Sequence, residues 1–178
     1  MFYIKIIFIC LIGTLLHFVY ELSHHNKIVA IFAAVNESVW EHVKICMTPT
    51  ILWGIYELFV YGFNGTFIIS KSLSILTIMV LIPILFYSYT HFTKKSILWI
   101  DVICFYVTVI CSSLVFKYFN SVESYRYIWV FLGSLLFFIE LEAYFILTYK
   151  PLKNPIFKDP ITHKYGIEGH PCHHKHKH

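Results

Sequence analysis

Five apolar stretches leave this chain little choice of fold. They run over residues 2–22, 38–61, 67–89, 97–118 and 127–149. A helix needs about 20 residues to cross the roughly 30 Å of bilayer hydrocarbon, and each stretch is long enough. Composition agrees: 58% of the 178 residues are hydrophobic and 13% are charged. A soluble domain carries about 25% charged residues. The expected fold is an all-α integral membrane protein, a bundle of about five transmembrane helices over residues 1–149. Residues 150–178, rich in Pro, Lys and His, form a tail that cannot span.

The first stretch competes with a secretory signal peptide. It has only Lys5 in its charged leader, carries His17 and Glu21 inside the run, and is followed by no small-residue cleavage site. It reads as a retained helix. The connector 23–37 contains a second apolar piece, 28–35, too short to span and expected to be re-entrant or interfacial. Pro49 inside the second stretch removes one helical hydrogen bond. Phe63-Asn64-Gly65-Thr66 reads as a turn.

The net charge is +4, and Arg126 is the single arginine. No basic patch with interleaved aromatics lies outside the apolar runs, so the bilayer is the expected partner and nucleic acid is not. Five cysteines, four of them in apolar runs, suggest buried small side chains rather than a disulfide framework. Lys27, Lys94, Lys95 and the tail lysines fall on one side of a five-span topology. Lys5, Lys71, Lys117 and Arg126 form a weaker set on the other. The excess of positive charge on cytoplasmic loops then predicts an external amino terminus and a cytoplasmic carboxyl terminus.

Within this frame the ionisable residues gather. The densest run is Asn36-Glu37-Ser38-Val39-Trp40-Glu41-His42-Val43-Lys44, at the mouth of the second helix. Ser38-Val39-Trp40-Glu41 has the form of a capping box, in which Ser38 and Glu41 satisfy each other's backbone N–H groups. His17 and Glu21 share a face of the first helix at i,i+4. Glu37 and Glu41 share the same spacing, as do His42 and Cys46. His91, Asp101, Glu140 and Glu142 fall towards the same side, and Glu57 towards the other. An ionisable group at the centre of a span costs about 2.5–3.5 kcal/mol on insertion scales, so a shared site is a natural explanation.

The expected site takes His17, Glu21 and His42 as ligands of a divalent metal, with zinc the expected ion and Glu140 or Glu142 in reserve. Glu41 or Glu37 would act as general base to a metal-bound water. Plainer readings stand beside each assignment. His17 and Glu21 can be a structural hydrogen-bonded pair, and Glu41 can be wholly used in capping. Lys44 can pair with Glu37 or Glu41. Three functions follow: a metal site, in its enzymatic form a membrane-embedded hydrolase; a proton- or ion-coupled transporter subunit, for which five spans suggest a homodimer; or an accessory protein held together by its polar cluster. The His-rich end, 169–178, can hold zinc, copper or nickel loosely.

His17-Phe18-Val19-Tyr20-Glu21 and Asn36-Glu37-Ser38-Val39-Trp40-Glu41-His42-Val43-Lys44 resemble the H-F-x-Y-E and N-E-S-x-W-E-H-x-K segments of an uncharacterised family of small bacterial multi-span membrane proteins. Asn154-Pro155-Ile156-Phe157-Lys158-Asp159-Pro160 is similar to that family's N-P-x-F-x-D-P tail. The resemblance covers most of the chain. It implies a bacterial cytoplasmic membrane and attaches no activity.

Overall fold

The computed structural model describes residues 1–122 and 126–170. Six helices follow in order: α1 (Phe2–Leu22), α2 (Val29–Phe32), α3 (Val39–Tyr61), α4 (Gly65–Thr93), α5 (Leu98–Asn120) and α6 (Tyr127–Tyr149). All but α2 are long and apolar enough to cross a membrane. At 1.5 Å per residue, the 21 residues of α1 reach about 30 Å. Two short 3-10 turns, Pro155–Phe157 and Gly166–Gly169, lie in the tail.

The expected spans are found with shifted ends. α4 is longer than the apolar pattern suggests, for a local reason at each end. The Asn64 side chain accepts from the Phe67 N–H and caps the helix, so Gly65 and Thr66 join its first turn rather than a loop. At the far end Lys94 takes a left-handed conformation (φ 58°) and stops it. The capping box at α3 is a correction. Ser38 is the N-cap residue but makes no side-chain cap bond. Its N–H donates to Asn36 Oδ1 instead (2.8 Å), and Glu41 turns away to the Val35 N–H (3.0 Å).

α3 and α4 are the enclosed helices. α4 packs on α3, α5 and α6, while α1 packs on α3 and α5. Ile9, Val43, Met47, Ile75, Ile78 and Val109 have no exposed surface and form the middle of the core. The outward faces carry Leu11, Leu15, Ile55, Phe59, Ile103 and Phe138, as lipid requires. Without a hydrophobic drive between helices in lipid, close approach depends on small residues. Gly133 is the clearest case. A Cβ there would lie 2.7 Å from the Ile69 backbone nitrogen. The same approach lets Ser72 Oγ donate to the Gly133 carbonyl at 2.8 Å.

Candidate functional site

The polar mouth is built around a short buried segment between α1 and α3. Residues 28–35 carry α2 and bury Ala30, Ala33, Ala34 and Val35. Buried backbone polar groups need partners inside the protein. Here α3 satisfies them. Lys44 Nζ donates to the Ala30 carbonyl (2.7 Å), and Thr48 Oγ1 to the Phe32 carbonyl (3.1 Å). Glu41 Oε2 accepts from the Val35 N–H and pairs with Lys44 Nζ at 2.6 Å. Both charged side chains are almost wholly buried, at 0% and 2% exposed. Glu41, expected as a base, is therefore engaged with the Val35 N–H and with Lys44.

The expected metal residues separate into three places. His17 and His42 meet over Glu37. His17 Nε2 stands 3.2 Å from Glu37 Oε1, and His42 Nε2 4.0 Å from Glu37 Oε2. The two imidazole centroids are 5.8 Å apart. His42 Nδ1 lies 2.9 Å from the Ser38 carbonyl, one helical turn earlier. A carbonyl only accepts, so Nδ1 carries a proton in that contact, and Nε2 is the nitrogen that faces Glu37. Glu37 lies outside the spans and is half-exposed. The hydrogen bond from His17, and then the charges of His17 and His42, hold its carboxyl below its ordinary value of 4.5; burial opposes them.

Glu21, although one turn from His17, faces elsewhere. Its carboxylate lies 3.8 Å from His170 Nε2 at the end of the tail. His170 is buried and stacks edge-on to Tyr20 and His25, with centroids 5.1 and 4.5 Å away. Glu140 stands apart in α6. It is buried, and neither carboxylate oxygen has a hydrogen-bond partner. Among the described residues no group of three His, Cys, Asp or Glu side chains forms a ready metal centre. The His-rich end, from Pro171 on, lies outside the described residues.

A cleft of about 160 Å³ runs from this dyad between α1 and α5, lined by Gly13, His17, His42, Asp101, Phe105 and Tyr106 among others. Its walls are mainly apolar. Asp101 accepts from Ser96 Oγ (2.6 Å) and from the Tyr89 hydroxyl.

The tail closes over the mouth as a strap. Asn154 caps the first 3-10 turn by accepting from the Ile156 N–H, with Pro155 in its first position. Phe157 is thereby driven against Trp40, with centroids 5.2 Å apart. Asp159 ties the next loop: Oδ2 accepts from the Ile161 and Thr162 N–H groups and the Thr162 hydroxyl. Its Oδ1 accepts from the Glu37 N–H at 3.0 Å. Asn36 Nδ2 donates to the Gly166 carbonyl (2.8 Å). Each polar position of the N-P-x-F-x-D-P stretch thus fixes the strap or fastens it to the mouth.

A second ionic cluster, at the other end of the bundle, is not anticipated from sequence. Lys5 Nζ and Lys71 Nζ lie 2.8 and 2.5 Å from the two oxygens of Glu57. All three are buried, and both ammonium groups sit over the Phe116 ring. Gly54 makes room: a Cβ there would meet Lys71 Cε at 3.0 Å. Lysines at positions 5 and 71 look like ordinary flanking charges. The available signal is that each falls within an apolar run.

Fold and site together define a multi-span, all-α membrane protein with a strap-covered His/carboxylate mouth. The chain belongs to a family of unknown function, DUF6512, whose model matches residues 1–167. No curated protein and no solved structure matches it.

Proposed function

We propose that the protein holds a divalent cation, zinc by ligand type, between His17, His42 and Glu37. One observation carries this reading: two imidazole Nε2 atoms address opposite oxygens of one carboxylate, and the outer nitrogen of His42 is fixed by a backbone carbonyl. A hydrogen bond on the far ring nitrogen is the usual device for orienting a metal-binding imidazole. Ligands at about 2.0–2.1 Å around a tetrahedral ion lie about 3.3 Å from one another. The His17–Glu37 separation fits, and the His42–Glu37 separation of 4.0 Å closes by a small side-chain rotation on binding. Glu37 thus becomes a ligand rather than a base, and Glu21 and Glu140 are outside the set. The apolar cleft with Asp101 on its wall suits an amphiphilic substrate, which makes a membrane-embedded hydrolase the enzymatic form of the reading.

The mouth is assigned to the cytoplasmic side of a bacterial membrane. With Lys5 and Lys71 committed to Glu57, only Lys117 and Arg126 remain as outer-side charges among the described residues. The lysine asymmetry that sets orientation is thus stronger than a raw count suggests.

Metal content measured on purified protein tests the site. Wild type should carry about one equivalent more than His17→Ala, His42→Ala or Glu37→Gln. All four keep the same His-rich end, so its contribution cancels. Equal metal in all four refutes the site. A transporter is the second reading, favoured by Glu140, where a coupled proton or cation would bind. Reconstituted vesicles should then lose ion-coupled uptake with Glu140→Gln but not with His42→Ala.

A further inference from the structure

The far end of the bundle carries a cavity of about 430 Å³, within the usual size range of small-molecule sites. It is lined by Lys5, Trp53, Glu57, Ser113, Phe116 and Lys117, with Asn120 and Ser121 near the end of α5. Two features of its wall are unbalanced. Lys5 and Lys71 share one carboxylate, Glu57, and Lys117 adds a third ammonium at the rim. Two buried ammonium groups against one carboxylate leave an excess positive charge in low dielectric, which a further anion would offset. Ser113 is 1% exposed, and its hydroxyl has no hydrogen-bond partner. The Trp53 indole N–H is also buried and unpartnered. A buried hydroxyl and indole N–H without partners need an acceptor.

We propose that this cavity binds a phosphate-bearing anion. Lys5 and Lys117 supply the charge, and Ser113 and Trp53 donate neutral hydrogen bonds. Lys71 and Glu57 act as a buried base that holds Lys5 in place. The cavity lies at the ends of α1, α3 and α5, where phospholipid headgroups are found. Phe2 and Tyr61 also line it and offer apolar surface to a glycerol backbone or acyl chain. Phosphate as a lipid headgroup and phosphate as a free anion share the recognising chemistry. The proposal does not rest on the metal reading, since the two sites are at opposite ends of the bundle.

The test uses full-length protein in maltoside micelles with three probes: dihexanoyl phosphatidylglycerol, inorganic phosphate and dihexanoyl phosphatidylcholine. Binding is read by native mass spectrometry and by the rise in Tm. One of the two anionic probes should bind saturably and more weakly at higher salt. Lys117→Gln, an exposed position, should weaken it about tenfold, as loss of one charge-assisted contact implies, with the Tm of the unliganded protein unchanged. Ser113→Val should weaken it less. Binding of phosphatidylglycerol alone identifies a lipid headgroup site, and comparable binding of inorganic phosphate identifies a free-anion site. Three results overturn the proposal: no saturable binding of either anion, equal binding of phosphatidylcholine, or unchanged affinity in both variants.

Discussion

Lys44→Met is the sharpest test of how the buried segment at 28–35 is held. The ammonium makes two short contacts, to Glu41 Oε2 at 2.6 Å and to the Ala30 carbonyl at 2.7 Å, with no exposed surface. Methionine keeps the aliphatic volume and removes both. Breaking a buried pair from one side costs about 3–5 kcal/mol, because the other charge is left uncompensated. An orphaned carbonyl costs about 1–3 kcal/mol. One ammonium serves both partners, so the costs overlap, and a loss of about 4 kcal/mol is expected. Adding Glu41→Gln removes the stranded charge and keeps an oxygen for the Val35 N–H. The double variant should therefore lose only about 2 kcal/mol, less than Lys44→Met alone. The assay is a double-mutant cycle by SDS-induced unfolding in mixed micelles, followed by tryptophan fluorescence. If Lys44→Met costs under about 1 kcal/mol, or the double variant loses the sum of the two singles, the pair does not hold the segment.

Gly133→Ala should destabilise by about 2 kcal/mol, since its Cβ would sit 2.7 Å from the Ile69 nitrogen and force α4 and α6 apart; the same unfolding titration measures it. Asp159→Ala frees three N–H groups at once, so the strap should loosen. Hydrogen exchange over residues 157–166 should quicken by tenfold or more while the core of α3 stays protected. Glu37 gives a pH prediction. Its folded pKa is depressed, so the stability it contributes is present above about pH 4.5 and lost as pH falls through the folded value. The Tm gap between wild type and Glu37→Gln should therefore close in acid, as pH falls below about 4.5. A gap that widens on acidification contradicts the His17 contact.

The spans were legible because length and hydropathy are local properties, and α1, α3 and α6 end within a residue of where the apolar runs end. That His17 would face His42 from a neighbouring helix was also legible. Their division of labour was not. Helical spacing pairs His17 with Glu21, yet the 3.2 Å contact is with Glu37, twenty positions away, and Glu21 turns to His170. Spacing states which side chains share a face of one helix. It does not state what another element places opposite that face. Glu41 shows the same limit: its sequence context fits a capping box, but the buried Val35 N–H and Lys44 ammonium compete better for its carboxylate.

By itself, then, the sequence determined an all-α bundle of five apolar spans and a short apolar piece at 28–35 too short to cross. Those follow from the cost of exposing polar backbone and charge to hydrocarbon, which any stretch of chain meets alone. The tertiary structure decided which charges are partners. Lys5 and Glu57 are 52 positions apart and Asn36 and Gly166 are 130 apart, and nothing local records either meeting. Such pairs form because a charge buried in a bundle must find its complement on whatever helix or strap packing brings within reach.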